Sequence, residues 1–116
     1  MTVKRIVSNL AVKDIDTIKT FYQEIFDLDV VMDHGWLVTL SPSTSALVQL
    51  SVATEGGSGT EVPDLSIEVD NLDDVFERAN KGGHKIVYGP ADEPWGVRRF
   101  YMQDPAGRIL NVLTHS

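Results

Sequence analysis

An α+β fold built from two copies of one strand–helix–hairpin module is predicted by three observations. A spaced pattern occurs twice: Leu10, Val12, Asp14, Ile15 and Ile18 return 57 positions later as Ile67, Val69, Asn71, Leu72 and Val75. In each copy an alternating apolar run ends at a side chain able to cap a helix, and an amphipathic segment follows. Two short apolar runs separated by turn residues then close each copy. At 116 residues the chain has the length of one domain, with a first module at about 1–53, a link at 54–63 and a second module at 64–116. Sheets that bury the same face twice can curl around a shared cleft, so function turns on what lines it.

The elements follow in order. Residues 4–12 alternate and read as a strand, after which Asp14 or Asp16 offers a capping carboxylate. Ile15, Ile18, Phe21, Tyr22, Ile25 and Phe26 make one broad apolar helical face, with a stop expected near Asp27. Strands are expected at 28–32, 36–40 and 47–52, the last two joined by a Ser- and Pro-rich turn at 41–45. Gly56, Gly57, Ser58 and Gly59 mark the flexible link. In the second module a strand at 65–69 leads to a cap at Asp70 or Asn71. Leu72, Val75, Phe76 and Ala79 follow at i, i+3, i+4 and i+7, and Gly82-Gly83 ends that helix. A strand at 85–88 precedes a loop expected over 89–96. Strands at 97–103 and 108–113 then pair across Asp104-Pro105-Ala106-Gly107, whose proline and glycine suit a type I turn.

Seventeen acidic against ten basic residues give a formal charge of −7, which repels nucleic-acid phosphates and attracts cationic ligands. The absence of cysteine excludes disulfides, thiolate zinc sites and thiol nucleophiles. No apolar run approaches membrane-spanning length and no signal-like segment opens the sequence, so no membrane partner and a cytoplasmic location are expected.

Leu10-Ala11-Val12-Lys13-Asp14 with Phe21-Tyr22, Ile67-Glu68-Val69-Asp70-Asn71, and the ending WGVRRFYMQDPAGRILNV resemble the vicinal oxygen chelate superfamily. That superfamily includes glyoxalase I, extradiol dioxygenases, fosfomycin-resistance enzymes and bleomycin-binding proteins. The resemblance covers nearly the whole chain and is closest in character to the metal-free bleomycin-resistance members. It implies two βαβββ modules forming an open, incomplete barrel around a ligand or metal, and a homodimer whose clefts share modules from both chains.

The resemblance also implies four cleft-facing metal positions, which fall here on Val7, Gln49, Asp64 and Asn111. Val7 has no lone pair, and two neutral amides with one carboxylate make a poor Lewis-acid site, so neither metal nor other cofactor is expected. His34, His84 and His115 are expected in exposed loops. Ser8 and Ser66 have no base in any motif, so no catalytic residue is assigned.

Alternation and family precedent place Val7, Asn9, Ala11, Leu47, Gln49 and Ser51 inward from the first module. Asp64, Ser66, Glu68, Val97, Arg99, Tyr101, Ile109, Asn111 and Leu113 face inward from the second. Trp95 is expected to stack on a planar ligand, and Trp36 is a weaker candidate of the same kind. Arg99 is expected either in a rim salt bridge with Glu68 or Asp64 or as a clamp on a ligand anion. Asp92 and Glu93 add negative charge beside Trp95. The expected function is metal-independent binding of an aromatic or cationic small molecule, as in antibiotic sequestration. The alternatives are a divalent-metal lyase or dioxygenase with an atypical ligand set, and an interaction module with a vestigial cleft.

Overall fold

A computed structural model describes residues 1–42 and 49–116. Most of the turn expected at 41–45, and the inward position expected for Leu47, lie outside the described residues. Among those described, the order is β1 (Val3–Ala11), α1 (Ile15–Phe26), β2 (Leu28–Asp33), β3 (Leu37–Pro42), β4 (Leu50–Ala53), β5 (Leu65–Val69), α2 (Leu72–Lys81), β6 (Ile86–Glu93), β7 (Val97–Gln103) and β8 (Ile109–His115). They form two compact units, Val7–Val62 and Met1–Ile6 with Pro63–Ser116.

In Val7–Val62 the strand order is β2-β3-β4-β1, antiparallel except for the parallel β4–β1 pair. Asp14 starts α1, as its spacing predicts: Oδ1 accepts from the Thr17 N–H at 3.3 Å and Oδ2 from the Thr17 hydroxyl at 2.6 Å. These bonds, the hydroxyl's first, hold the Asp14 carboxyl below its ordinary pKa. The helix stops at Asp27 in the left-handed region, φ 55°, with its N–H donating to the Gln23 carbonyl. Ile15 packs with Val38, Leu40 and Val52, flanked by Val12, Ile18, Tyr22 and Leu28.

The broad apolar face expected on α1 is only half used. Phe21, Ile25 and Phe26 are 51%, 61% and 57% exposed, and the Phe21 and Phe26 rings cluster with Tyr22. One line of side chains, 15, 18 and 22, meets the sheet, while 21, 25 and 26 point away from that line. β3 begins one residue later than expected. Asp33 Oδ1 accepts the Gly35 N–H and the His34 N–H reaches the Leu37 carbonyl, so the turn takes up Trp36.

In the second unit the order is β5-β8-β7-β6, with β5–β8 parallel and the rest antiparallel. Asn71 caps α2 by accepting the Asp74 N–H at 3.1 Å. Asp73 and Asp74 occupy the first turn and Arg78 and Lys81 the last, matching the helix dipole. Val69, Leu72, Ala79, Phe100 and Val112 form the core, joined by Ile67, Val75, Phe76, Ile86 and Met102. Phe100 is fully buried, edge-on to Phe76 at 5.1 Å. The turn after β7 closes as its residues predict. The Gly107 N–H donates to the Asp104 carbonyl, and Asp104 Oδ1 accepts the Ala106 and Arg108 N–H groups.

The loop expected at 89–96 is a correction. β6 runs on to Glu93, pairing Ala91 with Arg99, Asp92 with Arg98 and Glu93 with Val97. Gly89 and Pro90 sit in an irregularity of the ladder, the place where a strand tolerates such residues. Gly89 is required there: its φ is +79°, and a Cβ would stand 2.6 Å from the Arg99 carbonyl oxygen. β8 likewise continues to His115, which pairs with Val97 instead of lying in a loop.

Candidate functional site

Because β7 and β8 give Phe100, Met102 and Val112 to α2, the alternate residues Arg99, Tyr101, Asn111 and Leu113 occupy the opposite face of the second unit's sheet. The register extends the rows. Ser66, Asn111, Tyr101 and Tyr88 lie side by side, and Glu68, Leu113 and Arg99 form the next row. All of these except Tyr88 were expected on this face.

Arg99 and Glu93 form a buried ion pair, with side chains 3% and 4% exposed. Arg99 Nε and Nη2 both lie 2.7 Å from Glu93 Oε2, and Nη1 donates to the Tyr101 hydroxyl at 3.1 Å. The Tyr88 hydroxyl donates to the Glu93 carboxylate at 3.1 Å. Around the guanidinium carbon stand three rings, Tyr101 at 4.9 Å, Trp95 at 5.0 Å and Tyr88 at 5.4 Å. A cation between aromatic faces with its counter-ion in place is held electrostatically from several sides.

This corrects one expectation. Arg99 pairs with Glu93 in the interior, not with Glu68 or Asp64 at a rim. Trp95, half-buried in the turn between β6 and β7, lays its ring against Arg99. Reading 89–96 as a loop hid the pairing, since only the strand register places Glu93 against β7.

Glu68 instead joins Arg5 Nε at 3.2 Å and His115 Nδ1 at 2.9 Å, a cluster that sequence reasoning missed. Asp64 clasps β8: its N–H donates to the Ile109 carbonyl and its Oδ2 accepts the Ile109 N–H at 2.8 Å. Asn111 is 8% exposed, and its Nδ2 donates to Ser66 Oγ at 3.1 Å. Its Oδ1 is buried with no hydrogen-bond partner among the described residues.

In Val7–Val62 the face away from α1 carries Met32, Thr39, Ser51 and Asn9 in one row. Thr39 and Ser51 are buried, with their hydroxyls 2.7 Å apart. Asn9 is half-buried on β1, Gln49 is half-buried just before β4, and Val7 is buried. Trp36 stacks on His34 at 5.9 Å, and its carbonyl accepts the Thr54 N–H. A cavity of about 340 Å³ opens at the start of α1, lined by Lys13, Asp14, Asp16, Asp33 and Thr54 among others. Its Asp14 and Asp33 are already engaged by the helix cap and the Gly35 turn.

The family's metal positions in the second unit therefore do not fit a divalent ion. The Asp64 carboxylate accepts a backbone N–H, and Asn111 supplies one neutral amide. Among the described residues, no group of three or more His, Cys, Asp or Glu side chains is placed to hold one. No helix among them is long and apolar enough to cross a membrane.

The model of the glyoxalase-like domain family matches residues 6–115. No curated protein matches the chain. Among solved structures, a glyoxalase/bleomycin resistance protein/dioxygenase superfamily member from Vibrio splendidus is 19% identical, covering 97% of this chain and 99% of its own, with a TM-score of 0.67. Methylmalonyl-CoA epimerase from Mycobacterium tuberculosis is 17% identical over 98% of this chain and 87% of its own, TM-score 0.66. A Legionella pneumophila structure described as NAD-dependent benzaldehyde dehydrogenase is 16% identical over 96% and 99%, TM-score 0.78. At such identities the likeness is one of fold, and the α+β class read from the duplicated pattern agrees with it.

Proposed function

Because the chain belongs to the family of glyoxalase-like domains, we propose that it is a metal-independent binder that sequesters an aromatic or cationic small molecule. One observation carries the reading. In the second unit Arg99 and Tyr101 lie on the sheet face that α2 does not use, and Tyr88, Glu93 and Trp95 gather around Arg99. A buried ion pair seldom stabilises a fold better than hydrocarbon of the same volume, so stability alone gives no reason for it there. An aromatic and aliphatic wall with a few fixed polar groups is the make-up of a small-molecule site. The net charge of −7 favours cations over anions at a distance.

The named enzymes among the structural neighbours lend only their fold to this reading. Metal independence is supported by the engagement of Asp64 with the Ile109 backbone. The test is fluorescence of the two tryptophans during titration with bleomycin and with a planar cationic dye, on protein purified without chelator. Saturable quenching is expected, and no quenching at any accessible concentration overturns the proposal. A stoichiometric divalent ion in the same preparation overturns metal independence and favours a lyase or dioxygenase.

A further inference from the structure

Asn111 is a residue on this face whose chemistry is left incomplete among the described residues. Its Nδ2 is committed to Ser66 Oγ at 3.1 Å, while its Oδ1 is buried and has no partner among the described residues. The residues two before and two after it on β8, Ile109 and Leu113, share its face and are hydrocarbon, and Tyr101 lies directly opposite on β7. A buried carbonyl oxygen without a donor has lost water and gained nothing in return. Leucine, of similar shape, would escape that cost.

Resting on the binding reading above, we infer that the ligand presents a terminal N–H donor, neutral or cationic, to Asn111 Oδ1, and that carboxylates are rejected there. A carbonyl oxygen repels a second acceptor, whereas an ammonium or amidinium donor gains a charge-assisted bond. Specificity of this kind is strong because the orphaned group discriminates against any analogue that leaves it unpaired.

The experiment is a ligand-observed NMR titration of the full chain with benzylamine, its hydrocarbon isostere ethylbenzene, and benzoate. Benzylamine is expected to bind wild type about tenfold or more tighter than ethylbenzene, with benzoate weakest. Asn111→Leu removes the acceptor and is expected to abolish the preference while melting no lower than wild type. Asn111→Asp keeps an acceptor and adds charge, and is expected to retain or raise benzylamine affinity. The wild-type panel and Asn111→Asp decide the matter should Asn111→Leu not fold. Equal affinity for benzylamine and ethylbenzene, a preference for benzoate, or a preference that survives in Asn111→Leu overturns the assignment. Absence of benzylamine binding to protein whose tryptophans are quenched by bleomycin also overturns it. If neither bleomycin, the dye nor any of the three probes binds, the binding reading itself fails and takes this inference with it.

Discussion

The two units seat their helices by the same device and then part company. In Val7–Val62, Ile15 meets Val38, Leu40 and Val52; in the second unit, Leu72 and Ala79 meet Phe100 and Val112. On the face away from the helix, the first unit buries a neutral hydroxyl pair, Thr39 with Ser51. The second buries full charges, Arg99 with Glu93, inside three aromatic rings. The helix side is constrained by packing and stays alike in both copies. The other side is free to diverge, and among the described residues the second copy has gathered charge and aromatic surface there.

Breaking the charged side should therefore cost much more than breaking the neutral one. Glu93→Ala leaves a buried guanidinium without its counter-ion, and denaturant unfolding should register a loss of about 3–5 kcal/mol. Replacing both partners, as Glu93→Leu with Arg99→Met, should recover most of that loss, which separates the cost of an orphaned charge from the worth of the pair. Trp95→Ala removes one wall of the cage, and a loss of about 1–2 kcal/mol is expected by the same measurement. An unchanged melting temperature would instead mark the indole as a ligand platform with no structural share. In the first unit, Thr39→Val should cost only about 1 kcal/mol, since one neutral hydrogen bond is lost.

The smallest effect sharpens the comparison at the helix starts. Asp14 has a depressed pKa, so its contribution is complete above the ordinary aspartate range and fades as pH falls through the depressed value. Asn71, the matching cap, does not titrate. The difference in melting temperature between wild type and Asp14→Ala should shrink on acidification, while that for Asn71→Ala should not. Asp70 follows the Asp14 sign, its carboxyl lowered chiefly by the Thr2 N–H.

Much of the helix side could be read in advance. Asp14 and Asn71 cap where their spacing places them, and Phe100, Met102 and Val112 turn toward α2 as alternation requires. The site was harder. Gly89 and Pro90 signal a loop by composition, yet they sit in a ladder irregularity, and Ala91, Asp92 and Glu93 after them pair with β7. That pairing brings Glu93 to Arg99, a contact for which local sequence gives no sign. Near-terminal position suggests an exposed loop for His115, but the pairing of β8 with β7 and β5 brings it to Glu68.

The sequence by itself determined the duplicated α+β plan, the helix starts and the apolar faces, because caps and periodicity act over a few neighbouring residues. Only the tertiary structure decided which charge met which and which amide was left unsatisfied. Those outcomes depend on strand register, and register is set by partners distant in the chain.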